Sequence, residues 1–288
     1  MHKFNEFTEV LSEGRSRGES MEEVIIAAVN GKPEGNAKHD IDKEAGIKVD
    51  NFLKKNGMRG KGKVLGADNY PVSAEWASFW PGKVPGSTKT PKTDFMIGKA
   101  RISLKSGSQA QLMSGGRNES TATFNAALEA TKSSIAPTVV KKIEKMLEGL
   151  APASVAKGNL KKEVAKGKDK IVMAADKAHK EMMSELGKLF TSNKEFANAF
   201  AFEAMSGDVK FGNSAATCSH FLVCDFDGTN CSLHKVTDKS YVSKIAGKMN
   251  LSVRFKTTSV KKKVDGKETK TGEYRYWSVV GLILGKLT

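Results

Sequence analysis

The sequence predicts a mixed α/β protein of the α+β type, with a central mixed sheet, a helical insertion and a C-terminal β-hairpin. Three observations predict it. Amphipathic stretches at helical spacing alternate with short strand-like runs that end in Gly, Asn and Asp turns. The last third is richer in strand patterning than the middle. Hydrophobic residues make up 39% and charged residues 27% of 288 positions, the balance of a chain that buries a core.

The first helix is expected over 20–30. Ser20-Met21-Glu22-Glu23 reads as a capping box, and Met21, Val24, Ile25 and Ala28 form an i, i+3, i+4, i+7 stripe that Asn30-Gly31 and Pro33 end. Ile47 to Leu53 suits a second short helix, and the Gly- and Lys-rich stretch 57–70 follows. Ala74 to Trp80 is compact and aromatic. Residues 81–93 read as an exposed basic loop, with three prolines and the lysines Lys83, Lys89 and Lys92. Asp94 to Ile97 and Arg101 to Lys105 form a hairpin around Gly98-Lys99, and the polar segment 106–118 follows.

Asn118 is expected to cap a helix with the stripe Phe124, Ala127, Leu128, Thr131 and Ile135. Residues 138–190 read as two or three basic helices inserted into the core and removable from it. A further helix runs from Asn193 to Met205 and stops at Gly207. On it Glu203 falls on the stripe of Phe196, Ala199 and Phe200, so it is either paired in the core or turned toward a site. His220 to Phe226 is a strand turning at Asp227-Gly228, with Cys231 to Val236 as its partner. Asp238 caps a helix through Met249, and 251–259 with 274–284 make a terminal hairpin whose polar tip is Lys261 to Gly272. The division is therefore 1–137 as the N-terminal part of the core, 138–190 as the insertion, and 191–288 as the part that completes the sheet.

The net charge is +15, unevenly spread. Residues 1–53 hold seven basic and eleven acidic side chains, whereas 54–105 hold eleven and three, and 251–288 hold nine and three. Concentrated positive charge points to a polyanion, and nucleic acid, DNA before RNA, is the expected partner. Lys89, Lys92, Lys261, Lys262, Lys263, Lys267 and Lys270 are the candidate phosphate contacts. No apolar run of about 18 residues is present, so no membrane partner is expected. The opening Met1-His2-Lys3-Phe4-Asn5-Glu6 lacks the apolar stretch of a secretory signal, and a cytoplasmic location is expected. Cys218, Cys224 and Cys231 have no zinc spacing and give no disulfide framework; they read as small buried strand residues.

The candidate chemistry lies in the stretch from Pro91 to Lys105. Pairing of the hairpin strands brings Asp94 and Lys105 to the same end. A carboxylate and a lysine at a sheet edge near a basic surface suit phosphodiester hydrolysis. The carboxylate holds Mg²⁺, the metal activates water, and the lysine orients water or offsets developing charge. Ser106 to Gly116 is rich in small residues and amides that suit a phosphate, and Gln109 or Gln111 would position a strand or water.

These residues resemble the core of the PD-(D/E)XK nuclease superfamily, the restriction-endonuclease-like fold. The resemblance covers the helix 20–30, the hairpin 94–105, a following helix at 119–134 or 194–206, and the strand 220–226. It implies a catalytic aspartate at Asp94, with Pro91 three residues away instead of adjacent, and a catalytic lysine at Lys105. The family's second acidic position is held by Ser103, which cannot serve as an anionic ligand. The resemblance therefore implies that Glu23, or else Glu75, completes the metal charge. Thr93 to Phe124 also resembles segments of proteins from large tailed phages, which would place the chain in the host cytoplasm or in a virion, with virion proteins as partners. A second motif, Asp225-Phe226-Asp227-Gly228-Thr229, resembles the signature of haloacid-dehalogenase-like phosphatases. Its letters equally suit a hairpin turn, and no adjacent acidic pair follows it. Two function classes remain: a Mg²⁺-dependent endonuclease, or a non-catalytic basic binding or virion protein on a decayed nuclease fold.

Overall fold

The computed structural model describes residues 17–106, 111–113, 117–150, 160–161, 184–264 and 267–284, with the single positions 177 and 181. In chain order, α1 (Arg17–Val29) and α2 (Lys43–Lys55) precede β1 (Gly62–Val64). Next, β2 (Tyr70–Pro71), α3 (Ala74–Ser78) and β3 (Ser87–Thr88) form a side excursion, and β4 (Phe95–Ile97) with β5 (Ala100–Ser106) makes the expected hairpin. β6 (Gln111–Met113), α4 (Arg117–Thr131), α5 (Pro137–Leu150), β7 (Leu160–Lys161) and the helical residues 184–192, termed α6, follow. Then come α7 (Lys194–Ser206), α8 (Asp208–Phe211), β8 (His220–Cys224), β9 (Ser232–Lys235), α9 (Lys239–Ala246), β10 (Met249–Val264) and β11 (Lys267–Leu284).

The mixed α+β architecture is as expected. The central sheet has the order β1-β4-β5-β8-β9, antiparallel throughout except for the parallel pair β5 and β8. A parallel neighbour needs a long crossover, and the helices α4 to α8 lie within it. Burial on β8 is two-sided. Leu222 and Cys224 join the core under α1 and α2, whereas Phe221 and Val223 join the core beneath α4, α7 and α9. Side chains alternate along a strand, so a run of small and apolar residues there marks a strand covered on both faces.

α1 and α2 cross at very close range. A Cβ on Gly46 would lie 2.4 Å from the carbonyl oxygen of Val24, so only glycine lets the two backbones meet. Asp42 starts α2 by accepting from Glu44 N, Ser73 starts α3 by accepting from Trp76 N, and Asp238 starts α9 by accepting from Ser240 N and Tyr241 N. Gly207 ends α7 at φ +64°, as its residue type requires.

Several expectations are corrected. Ser20 does not cap α1, which begins at Arg17; Ser20 is buried inside it with an unpaired hydroxyl. The stretch 57–70 contains the edge strand β1, and the loop 81–93 contains β3. The chain after α9 is strand from Met249 onward. The terminal strands continue through most of the expected polar tip, leaving only 265–266 between them. The stretch 138–190 is held to the core at both described ends. Ile143 of α5 and Leu186, Leu189 and Phe190 of α6 are buried with Phe124, Phe196 and Phe200, and Phe190 stacks 5.9 Å from Phe124. The middle of that stretch lies outside the described residues.

Candidate active site

Asp94 stands just before β4, locked by its backbone on two sides. Its N–H donates to Ile102 O (2.9 Å), and its carbonyl accepts from Leu65 N (2.9 Å). Three donors converge on Oδ2: Leu104 N at 2.6 Å, Ser103 Oγ at 3.0 Å and Lys105 Nζ at 3.5 Å. The Lys105 ammonium also donates to Leu104 O (2.9 Å) and stands 5.7 Å from the centre of the Phe221 ring. Asp94 and Lys105 therefore converge at one end of the hairpin, both partly open to solvent. Ser103, buried within β5, orients the carboxylate instead of adding a second one.

A second carboxyl group, on α1, lies within electrostatic reach of this point. Burial pushes the Glu22 carboxyl up to about 8, the Asp94 charge adds to the rise and Lys105 opposes it. The acidic side chain brought to Asp94 and Lys105 is thus Glu22, where Glu23 was expected; Glu23 is set about 100° further round the helix. The signal was present in the sequence, because Glu22 leads its own i+3, i+4, i+7 stripe of Ile25, Ile26 and Val29. Beneath the site lies Cys218, whose thiol is pushed up to about 12, mainly by burial and then by Asp94; its sulfur donates to His220 O at 2.9 Å.

Beside this point lies a charge cluster, of which only the inward placing of Glu203 was anticipated from the sequence. Lys210, only 2% exposed, pairs with Glu119 of α4 at 2.5 Å and stands over the rings of Trp76 and Phe211. Glu203 accepts from the backbone N–H groups of Val209 (2.8 Å) and Lys210 (3.0 Å), closing the start of α8. Burial raises its carboxyl to about 7. Lys92 turns inward and donates to Leu112 O at 3.2 Å, and burial followed by Lys210 lowers its ammonium to about 8. Lys92, half-buried, is thus tied to β6 by this bond.

The other candidates are dispersed. Glu75 is exposed on α3, and Lys89 is exposed in the basic loop. Gln109 lies outside the described residues, and Gln111 pairs by backbone with Ile283. Lys261, Lys262, Lys263 and Lys270 are exposed on the terminal ribbon, and Lys267 lies opposite Val264. Asp225 to Thr229 forms the turn between β8 and β9. Asp227 accepts from Thr229 N and Oγ1, and Asp225 accepts from Asn230 Nδ2.

Among the described residues no group of three or more His, Cys, Asp or Glu side chains gathers into a cage. Mg²⁺ is commonly held by one or two carboxylates, with water and phosphate oxygens completing its shell, and Asp94 and Glu22 are the carboxyl groups that could hold one here. A zinc centre would need more protein ligands. No protein-family model, curated protein or solved structure matches the chain. Among the described residues no helix is long and apolar enough to cross a membrane.

Proposed function

We propose that the protein is a Mg²⁺-dependent, endonuclease-like enzyme that hydrolyses phosphodiester bonds in DNA, working through Glu22, Asp94 and Lys105. The observation that carries this reading is the pairing of a hairpin carboxylate with a hairpin lysine at one end of a mixed sheet, with the Glu22 carboxyl of α1 within electrostatic reach. The succession of α1, β1, β4, β5, helices and β8, with β8 parallel to β5, supports the restriction-endonuclease-like reading. The bound cation would supply a polarised water and a positive charge on the scissile phosphate. Asp94 and Glu22 would hold it. Ser103 Oγ and Leu104 N fix one oxygen of Asp94, and neither bonds the other. Lys105, held by Leu104 O, offers fixed positive charge where phosphate charge grows. The reaction would take place in a host cytoplasm or a virion.

Nicking of supercoiled DNA in Mg²⁺ or Mn²⁺ tests the reading. Wild type should nick, and Asp94→Asn, Glu22→Gln and Lys105→Ala should each lose nicking while still binding DNA. A wild-type protein that nicks with neither metal overturns it. Such a result would favour the second reading, a non-catalytic DNA-binding or virion protein. Ser103 supports that second reading, because a hydroxyl stands where the superfamily carries its second carboxylate.

A further inference from the structure

β10 and β11 form an antiparallel ribbon of 16 and 18 residues. Its root is fixed beside the candidate site, because Leu282 pairs with both Leu251 and Met113 of β6. The neighbouring β6 residue, Leu112, accepts the Lys92 ammonium. The short strand β7 joins further out, at Glu273 and Tyr274. There the register slips between Ser259 and Lys261, so that three residues of β11 (271–273) face one of β10. Such a bulge bends a ribbon and tightens its twist. Beyond it no third strand is paired among the described residues.

Among the residues whose exposure is described, the ribbon's exposed charge lies in its outer segment. Lys261, Lys262, Lys263 and Lys270 are exposed there with Glu268, and Lys261 opposes Lys270. By the alternation of strands, Lys261, Lys263 and Lys270 share one face with Glu268, which Lys261 pairs at 2.9 Å. Ten residues separate Leu251 from Lys261, so the tip lies about 33 Å from the root, nearly one turn of B-DNA.

We propose that this ribbon is a groove-reading arm. Its lysine tip enters the major groove of duplex DNA about one helical turn from the Asp94 site. The inference rests on the nucleic-acid reading above for the class of partner, and it does not rest on catalysis. A two-stranded ribbon fits the major groove of B-DNA, roughly 12 Å wide. The deep, narrow major groove of A-form RNA does not admit it. A single strand offers no groove, so it engages the lysines only as loose charge.

Fluorescence anisotropy in EDTA, where no cleavage can occur, tests the arm on the full-length protein. The probes are a 30-base-pair DNA duplex, a 12-base-pair duplex, a 30-nucleotide single strand and a 30-base-pair RNA duplex. The long DNA duplex should bind at least tenfold more tightly than the other three. Lys261→Gln/Lys262→Gln/Lys263→Gln should erase that advantage and reduce the salt slope by about two to three, at about 0.9 per neutralised phosphate. The triple arginine variant, which keeps charge on the same strand, should keep the advantage and shows that the tip tolerates substitution. Equal binding of duplex and single strand, equal binding of RNA duplex, or an unchanged salt slope in the glutamine variant overturns the proposal. A protein that binds duplex DNA in this way yet never nicks in metal would overturn the catalytic reading alone.

Discussion

The Ser103 hydroxyl donates a 3.0 Å hydrogen bond to Oδ2 of Asp94, the oxygen that also takes the Leu104 amide at 2.6 Å. Hydrogen bonds to charged acceptors are worth about 1.5–3 kcal/mol. Ser103→Ala should cost near the lower end of that range, because Leu104 N still holds the carboxylate. Ser103→Glu should lower the melting temperature in EDTA, since it adds like charge and volume to a buried position. Millimolar Mg²⁺ should then restore more of its stability than it adds to wild type. Melting curves with and without Mg²⁺ check both, and an identical Mg²⁺ response in the two proteins would count against a cation at Asp94.

Glu22 makes stability depend on pH in metal-free buffer. Its carboxyl is raised to about 8 in the folded protein, chiefly by burial and then by Asp94. Folding therefore takes up a proton between about 4.5 and about 8. The sign follows: the native state binds more protons than the unfolded chain in that window, so this contribution is present below 4.5 and lost as pH rises toward 8. Glu22→Gln should flatten the decline, by an amount on the order of a few kcal/mol across the window. Urea denaturation at pH 5 and pH 8 reads it, and equal slopes in wild type and variant would show that Glu22 is not buried beside Asp94.

Lys210 and Glu119 join α8 to α4 through a buried ion pair. Removing one partner of such a pair strands the other charge, at a cost of about 3–5 kcal/mol. Lys210→Met should therefore be strongly destabilising, and Lys210→Met combined with Glu119→Leu should recover much of the loss. The double-variant cycle, measured by denaturant unfolding, checks this. Additive losses would mean that the two residues act separately.

Phe190 ties α6 to the aromatic stack of Phe124, Phe196 and Phe200. Phe190→Ala should cost about 3–5 kcal/mol, the usual range for a buried phenylalanine. Deleting 138–190 behind a short linker should abolish the cooperative melt, because it removes Ile143, Leu186, Leu189 and Phe190 from the core. A deletion that still melts cooperatively would show that this end of the core is dispensable.

What the sequence made legible was local. Gly98-Lys99 with its flanking apolar residues specified β4 and β5, and with them the meeting of Asp94 and Lys105. Asp238 and Gly207 marked helix ends through their own side chain or its absence. The rest depended on distant partners. β1 is three residues long and is a strand only because Phe95 to Ile97 pair with it. The choice of Glu22 over Glu23 is a choice of helix face, which docking on the sheet decides. Lys92, Glu119 and the Glu203–Lys210 stretch come from three separated segments, and nothing local to Lys92 distinguishes an inward ammonium from the exposed lysines around it.

Gly46 has no side chain and no place in the chemistry, yet the depth at which Glu22 sits is set against it. Val24 of α1, two residues from Glu22, meets α2 at this glycine, and a single methyl would collide with its carbonyl oxygen. The gauge of the site is thus cut on the far side of the helix, in a place no substrate touches. An alanine there would push α1 off its seat and move a carboxylate it never contacts. Only glycine fits this position, although none of its atoms takes part in the proposed chemistry.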